Sequence, residues 1–149
     1  MRCVIQRVTS ASVSVAGTTV GRIGRGLLIL AAVERGDSPE DVDTAARKIA
    51  GLRIFADAAG KMNLALGDVG GAILAVSQFT LAGSIAGGRR PSFDRAEEPA
   101  RANELFERFV RSLREAGAPV ETGVFREYME VALVNDGPVT FVYDTPPGP

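Results

Sequence analysis

The 149-residue chain contains no histidine and no tryptophan, and it has one cysteine. The absence of histidine excludes Ser-His and Cys-His catalysis, the usual zinc sites and the default general base near neutral pH. We therefore expect no metal site, and any general base must be a carboxylate, a perturbed lysine or a group on the substrate. The lone cysteine, Cys3, excludes an internal disulfide and is typical of a reducing cytosol.

Long apolar runs are also absent, since no stretch approaches the roughly 18 residues that a membrane helix needs. The N-terminal stretch Met1–Arg7 becomes polar too early for a signal peptide. These features predict a cytoplasmic protein without membrane contact. The formal charge of −1, from 17 cationic and 18 anionic side chains, argues against broad binding to a nucleic-acid backbone, so DNA is not an expected partner. A ligand held at one end in a pocket is compatible with this charge.

The composition, 46% apolar and 23% charged, predicts one globular domain over residues 1–144 and a disordered tail at 145–149. Apolar patterning predicts strands at residues 2–8, 12–15, 19–23, 27–33, 72–76, 120–123, 129–135 and 139–143. Helices are predicted to begin at Ser38-Pro39 and at Pro99, because proline is favoured in the first helical turn. This pattern indicates an α+β domain with an antiparallel sheet and two main helices. Neither GxGxxG, GxxxxGK[ST] nor CxxC occurs, so no cofactor is expected.

Polar side chains follow the buried strand at 72–76, in the stretch Ser77-Gln78-Phe79-Thr80-Leu81. Two hydroxyls and an amide at the end of a core strand are well placed to present reacting groups from a rigid base. The alternative is an ordinary strand end, where Ser77 and Thr80 satisfy local backbone groups. Spacing alone favours this second interpretation.

A second segment, Asn135-Asp136-Gly137-Pro138, consists of turn-forming residues and, taken alone, predicts only a turn between two strands. Together with the first segment, however, it resembles the signature pair of D-aminoacyl-tRNA deacylases. Further segments stand in the order and spacing of that family, so that the resemblance covers residues 2 to about 143: 5–8, 11–13, 53–55, 60–64, 77–81, 90–93, 122–125 and 135–140.

The resemblance implies a homodimer with a barrel-like α+β core that cleaves the ester between a D-amino acid and its tRNA. It further implies that Gly137-Pro138 is a cis pair inserted into the partner subunit's active site, where it excludes L side chains. Glycyl-tRNA mischarged on tRNA-Ala would also be cleaved, because glycine has no side chain to exclude. The remaining roles that the resemblance implies are an active-site wall of Ser77, Gln78, Phe79 and Thr80, a site for the 3′-terminal adenosine at Phe125 and Met129, and Arg7 beside the Gly-Pro pair.

The chemistry of such a site needs a base that the side chains do not evidently supply. Thr80 as a nucleophile would need an activating base, and no histidine is present. We therefore expect the ribose 2′-OH of the substrate to assist hydrolysis, with backbone N–H groups of Gln78 and Phe79 as an oxyanion site. The alternatives are a conventional Ser/Thr esterase and a non-catalytic module that binds RNA ends or DNA. The chain departs from the family at Glu127, where alanine is usual, and in the glycine-rich loop 84–88.

Overall fold

The computed structural model describes residues 1–146. The predicted disordered tail at 145–149 therefore falls mostly outside the described residues. Its first residue is held in place, because the backbone N–H and the hydroxyl of Thr145 both donate to the carbonyl oxygen of Met1, at 2.9 and 3.0 Å.

Within residues 1–146 the chain forms eight strands and two α-helices. Their bounds are β1 Arg2–Val15, β2 Thr18–Ile23, β3 Gly26–Ala32, α1 Pro39–Ala50, β4 Phe55–Ala56, β5 Met62–Leu64, β6 Ala72–Ser77, α2 Pro99–Glu115, β7 Val120–Thr122 and β8 Glu130–Asp144. Both predicted helix starts are confirmed. Ser38 caps α1 in a reciprocal pair of hydrogen bonds with Asp41, and Pro99 is the first residue of α2.

The main sheet has the strand order β2-β1-β3-β6-β7, with β8 paired to β1. It curls until β2 approaches β7: a Cβ at Gly21 would lie 2.6 Å from the carbonyl oxygen of Thr122, so this contact tolerates only glycine. The α+β class and the barrel-like sheet are therefore confirmed. The sheet is mixed, however, and not wholly antiparallel. Strand β6 runs parallel to both β3 and β7, because long connections carrying α1 and α2 return the chain in the same direction.

Two pairs of predicted strands are each one continuous strand. The predicted segments 2–8 and 12–15 both belong to β1, and the segments 129–135 and 139–143 both fall on β8 apart from Met129. The stretch 135–138 is therefore not a turn between strands. Val8 pairs with Asn135 and Gln6 pairs with Thr140, so residues 136–139 bulge out opposite Arg7 alone. The bulge projects Gly137 and Pro138, which are both exposed.

Residues 72–76 of strand β6 are all apolar, as expected for a strand whose two faces are both covered. Ile73 and Ala75 pack in the larger core, which the two helices cover, whereas Leu74 and Val76 point into a smaller core inside the curled sheet. A strand buried on both faces is a rigid support, and β6 ends at Ser77, where the polar residues begin. In residues 1–146, neither helix is long and apolar enough to traverse a lipid bilayer.

Candidate active site

A cavity of about 920 Å³ opens where β3 and β6 end. Its lining includes the whole predicted wall, Ser77, Gln78, Phe79 and Thr80, and on the other side Phe125 and Met129. We call this cavity the candidate pocket. Six of the nine predicted site residues therefore meet in one place, although they come from two segments far apart in the chain. Arg7, Gly137 and Pro138 do not line it.

The wall is shaped by a sharp change of direction after β6. The Gln78 N–H still donates to the Ala31 carbonyl oxygen, at 2.8 Å, as if β6 continued. The chain then turns into a short 3₁₀ helix over Phe79–Ala82, which leaves the Phe79 and Thr80 side chains exposed. The Gln78 side chain bends over this turn, and its Nε2 donates to the Thr80 hydroxyl at 3.0 Å.

This geometry changes the expected oxyanion site. The Gln78 N–H is already bonded to Ala31 and is not free to bind a ligand. The first intrahelical bond runs from Leu81 N–H to the Gln78 carbonyl, so the N–H groups of Phe79 and Thr80 have no acceptor within the 3₁₀ turn. The available backbone donors are therefore the N–H groups of Phe79 and Thr80, one residue later than the sequence predicts.

The Thr80 hydroxyl has no carboxylate partner among the hydrogen bonds of residues 1–146. Its recorded contact is the Gln78 amide. Two carboxylates of the pocket, Glu97 and Glu98, accept backbone N–H bonds at the start of α2, at 2.8 and 3.1 Å. They are thus engaged in shaping the helix end. Among the hydrogen bonds of residues 1–146, the Thr80 hydroxyl is therefore paired with an amide and not with a group that could activate it as a nucleophile.

The opposite wall is formed by residues 125–129. Met129 fits closely beside Gly123, where an added Cβ would lie 2.6 Å from the Met129 sulfur. Arg126 has a φ of 67°, a left-handed conformation that is uncommon outside glycine and marks a tight turn. Phe125 and Met129 are half-buried, and Tyr128 at the rim is 88% exposed. An apolar surface with aromatic rings at its edge is suited to a flat nucleobase.

Phe93 also lines the candidate pocket, although the sequence alone predicts no role for it. Its ring packs against Phe79 with centroids 5.1 Å apart and planes tilted by 59°. Gly83 makes room for this pair, because a Cβ there would lie 2.9 Å from the Phe93 ring. The only sequence signal for this contact is that Phe93 lies in segment 90–93, which matches the family. No local pattern predicts the contact, because the loop 83–92 brings the ring to Phe79.

The Gly-Pro bulge is a separate, preorganised feature. The Gly137-Pro138 peptide is cis, and Gly137 has a φ of 139°. Asn135 spans the bulge: its Oδ1 accepts from Val139 N–H at 2.7 Å, and its Nδ2 donates to the Thr140 hydroxyl at 3.0 Å. Arg7 lies beside it, with Nε donating to the Asp136 carbonyl oxygen at 2.9 Å. These contacts hold an exposed element in one shape away from the chain's own pocket.

Residues 1–146 hold no cluster of three or more cysteine, aspartate or glutamate side chains suited to a metal ion. The charged groups of the candidate pocket are instead dispersed around its rim: Arg35, Glu97, Glu98, Arg126 and Glu127.

Comparison with known proteins identifies the family. The family model described as D-Tyr-tRNA(Tyr) deacylase matches residues 4–144. A D-aminoacyl-tRNA deacylase from Geobacter sulfurreducens is 59% identical over 145 residues, covering 97% of this chain and 95% of that protein. One from Desulfitobacterium hafniense is 57% identical over 145 residues, covering 97% of each.

Solved structures share the fold. The c-Myc DNA Unwinding Element Binding Protein is 37% identical with a TM-score of 0.93, covering 99% of this chain and 100% of that one. A probable eukaryotic D-amino acid tRNA deacylase superposes with a TM-score of 0.82, covering 95% of this chain and 97% of that one, and at 20% identity it supports the fold alone.

The fold and the pocket define a small α+β protein that presents a ligand-sized site at the ends of two parallel strands. Within that class, the chain belongs to the D-Tyr-tRNA(Tyr) deacylase family, as the sequence predicts, and hence to a family of enzymes.

Proposed function

We propose that this chain hydrolyses the ester of D-aminoacyl-tRNA, releasing a free D-amino acid and tRNA. The observation that carries the proposal is the candidate pocket, which joins the Ser77–Thr80 wall to Phe125 and Met129 in a chain of this family. Its volume of about 920 Å³ lies in the range of small-molecule sites and suits an aminoacylated adenosine. The relatives from Geobacter sulfurreducens and Desulfitobacterium hafniense carry the same activity in their names.

The division of the pocket suggests how the substrate lies. The apolar side at Phe125 and Met129 would bind the 3′-terminal adenine by stacking and burial. The ester would then face the Ser77–Thr80 wall, where the Phe79 and Thr80 N–H groups can receive the developing oxyanion. Anchoring through one nucleotide agrees with a net charge of −1, since it needs no extended basic surface.

Chirality would be enforced by the Gly137-Pro138 bulge of a second copy. The bulge is exposed and braced but does not line its own pocket, which leaves it available to close another one. Strand β8, which carries it, leaves Val134, Phe141 and Val142 exposed to 56%, 43% and 64%, and exposed apolar side chains of this kind can be covered in a homodimer. A steric barrier made of backbone atoms excludes an L side chain whatever its chemical type. Many D-amino acids, and glycine mischarged on tRNA-Ala, would therefore be accepted.

The hydrolytic step would draw on the substrate's own hydroxyl. Water attacks the ester carbon, the bond to the ribose 3′ oxygen breaks, and that oxygen leaves with a proton. The 2′-OH is adjacent to this bond and can assist the proton transfer, whereas the Thr80 hydroxyl accepts from the Gln78 amide and, within residues 1–146, has no hydrogen bond to a carboxylate. The location that follows from a tRNA substrate is the cytoplasm.

A matched pair of substrates tests the proposal. The protein is incubated with D-aminoacyl-tRNA and L-aminoacyl-tRNA carrying the same side chain, and both esters are followed over time. We expect the D-ester to disappear and the L-ester to persist at its spontaneous rate. Hydrolysis of small D-amino acid esters as fast as the tRNA ester would instead support the Ser/Thr esterase. Stability of both tRNA esters with excess protein would overturn the proposal.

One observation favours a second candidate, a DNA-binding module: a relative 37% identical to this chain is named for binding a DNA element. The charge of −1 speaks against it, because backbone binding to a duplex requires clustered cations. Retention of a DNA duplex by the protein at 150 mM salt, with no ester hydrolysis, would favour this candidate over the deacylase.

A further inference from the structure

A second cavity, of about 360 Å³, lies beside the candidate pocket. It is lined by Ala82, Ser84, Gly87, Arg90, Ser92, Asp94 and Arg95. We call it the loop cavity, because these residues belong to the loop between β6 and α2. The two cavities share one wall: Ser92 and Asp94 face the loop cavity, while Phe93 and Ala96 face the candidate pocket. They are thus separated by the thickness of a single chain segment.

The loop cavity is a formed structure. Ser84 N–H donates to the Ser92 carbonyl oxygen at 2.7 Å, and Ser92 N–H donates back to the Ser84 carbonyl oxygen at 2.9 Å. This two-bond bridge closes the loop at its base. The Ser84 hydroxyl accepts from Ala86 N–H at 3.3 Å, which leaves its proton free to be donated.

Residues 82–95 of the loop carry a net positive charge, and most of their arginine side chains form no ion pair within residues 1–146. Arg95 forms an ion pair with Glu34 at 3.2 Å. In contrast, Arg89 and Arg90 have no carboxylate within ion-pair distance among residues 1–146, and both are exposed. Asp94 is the one carboxylate in the lining of the loop cavity. Opposite Gly87 and Gly88 the space is open, since an added Cβ would meet no atom within 4 Å at either position.

We propose that the loop cavity binds backbone phosphates of the single-stranded RNA whose 3′ end occupies the candidate pocket. The inference rests on the proposed function. A guanidinium with free N–H groups beside serine hydroxyls matches the oxygen acceptors of a phosphodiester, and Arg90 is the principal contact. A strand with its last nucleotide in the candidate pocket passes the shared wall at 92–96 and brings its preceding phosphates to the loop. The site explains how a chain of net charge −1 binds RNA, because the positive charge is placed where the strand emerges.

The test measures binding and hydrolysis separately. Binding of an uncharged RNA minihelix ending in CCA is measured by fluorescence anisotropy from 50 to 300 mM salt. Each phosphate contact to a single strand contributes about −0.7 to the slope of log K against log salt, so Arg90→Gln should make the slope shallower by about that amount. We expect about fivefold weaker binding at the lowest salt. Arg90→Lys keeps the charge and should retain most of the slope.

Arg111→Gln is the matched control, since it removes the same charge from an exposed position on α2. It lies nine residues beyond Ala102, the last residue of α2 that lines the candidate pocket, and is therefore about 14 Å away along the helix. Hydrolysis is then compared on D-aminoacyl-tRNA, on a D-aminoacyl CCA trinucleotide and on phosphate-free D-aminoacyl adenosine. Arg90→Gln should slow the first two relative to wild type and leave the third unchanged.

The outcomes separate the two proposals. Two results overturn the phosphate site even if wild type is an active deacylase. One is wild-type affinity of Arg90→Gln for the minihelix at every salt concentration. The other is a loss of hydrolysis rate on phosphate-free D-aminoacyl adenosine as large as the loss on D-aminoacyl-tRNA. If wild type binds the minihelix with an Arg90-dependent slope but cleaves no ester, the phosphate site stands and the proposed function fails. If wild type neither binds nor cleaves, both fail.

Discussion

Arg7 donates from Nε to the carbonyl oxygen of Asp136 at 2.9 Å, across from the bulge in β8. Its Nη1 donates to the Ile54 carbonyl oxygen at 2.7 Å, so one guanidinium ties the Gly-Pro bulge to two other segments. The Arg7 side chain is 13% exposed, so these hydrogen bonds are largely shielded from water. Arg7 is therefore a positioning residue for Gly137-Pro138 and has no place in the candidate pocket of its own chain.

The first prediction concerns Gly137→Ala. An added Cβ would lie 2.7 Å from Val139 Cγ2 and 3.2 Å from Arg7 Nη2, at a φ of 139° that L residues rarely adopt. The bulge must therefore shift, and we expect a loss of about 1–3 kcal/mol in the free energy of unfolding. Cleavage of D-aminoacyl-tRNA should fall at least about tenfold, because under the proposed function the bulge closes the site of a second copy, and its displacement would disturb the geometry there.

Gly24→Ala is the matched control, because a Cβ there meets nothing within 4 Å and the φ is not in the left-handed range. It should leave both the free energy of unfolding, measured with urea, and the rate of deacylation nearly unchanged. Equal behaviour of the two variants would contradict the role of the bulge.

The second prediction tests whether the site is shared between subunits. Gln78→Ala damages the wall and Gly137→Ala damages the bulge, so a heterodimer of the two variants has one site with both defects and one with neither. After complete subunit exchange, half of the dimers are mixed, and about a quarter of wild-type activity should return. Exchange verified by mass spectrometry without any recovery of activity would rule out a site built across the dimer.

The third prediction separates Thr80 from the substrate hydroxyl. Thr80→Val removes a group whose recorded partner is the Gln78 amide, and we expect less than about a tenfold loss in single-turnover rate. Replacing the terminal 2′-OH of the tRNA by hydrogen should cost about 100-fold or more, the usual size of a lost proton-transfer group. An acyl-enzyme trapped on Thr80 would contradict this assignment.

The sequence predicted more of the site than of the strand connections. The strand at 72–76 could be predicted because a strand covered on both faces is apolar at every position. The polar wall could be placed because it begins directly after this strand. The prediction of a turn at 135–138 was wrong because the same turn-forming residues are favoured in a hairpin turn and in a bulge. What decides between them is pairing of both flanking segments with β1, a long-range contact that leaves no local signal.

Other features depend on contacts that no periodicity encodes. The parallel pairing of β6 with β3 and β7 depends on where the helical connections return the chain. Bonding of the Gln78 N–H to Ala31 removes it from the expected oxyanion site, and only the three-dimensional register of β3 against β6 reveals this. The loop cavity likewise arises from the Ser84–Ser92 bridge between residues eight positions apart.

The fourth prediction is that Cys3 is inert in the folded protein. Burial raises the pKa of its thiol to about 12, and its side chain is fully enclosed in the larger core. At pH 8 the thiolate is therefore about one part in ten thousand, and no reagent can reach it. Labelling with a thiol reagent should be negligible in buffer and complete in 6 M guanidinium chloride. Fast labelling of the folded protein at pH 8 would contradict the placement of Cys3.

The fifth prediction concerns Asp43, which joins the two helices. Its carboxylate accepts from Arg108 Nη2 and from the Ser112 hydroxyl, both at 2.7 Å, and these hydrogen bonds lower its pKa to about 2. Because the folded pKa lies below the unfolded value of about 3.9, the stabilisation is present above about pH 4 and is lost as the pH falls towards 2. The shift corresponds to about 2–3 kcal/mol, and partial exposure of the pair reduces this to about 1–2 kcal/mol.

Asp43→Asn should therefore lower the free energy of unfolding by about 1–2 kcal/mol at pH 6, measured with urea. The difference from wild type should shrink by about half near pH 3, because Asp43 of the unfolded chain is then mostly protonated while the folded carboxylate is still mostly charged, so that folding must release a proton. Glu104→Gln is the control, since that carboxylate pairs with Arg101 on the surface at 70% exposure and should change stability by less than about 0.5 kcal/mol. A difference between Asp43→Asn and wild type that stays constant from pH 6 to pH 3 would show that packing, and not the charge of Asp43, joins α1 to α2.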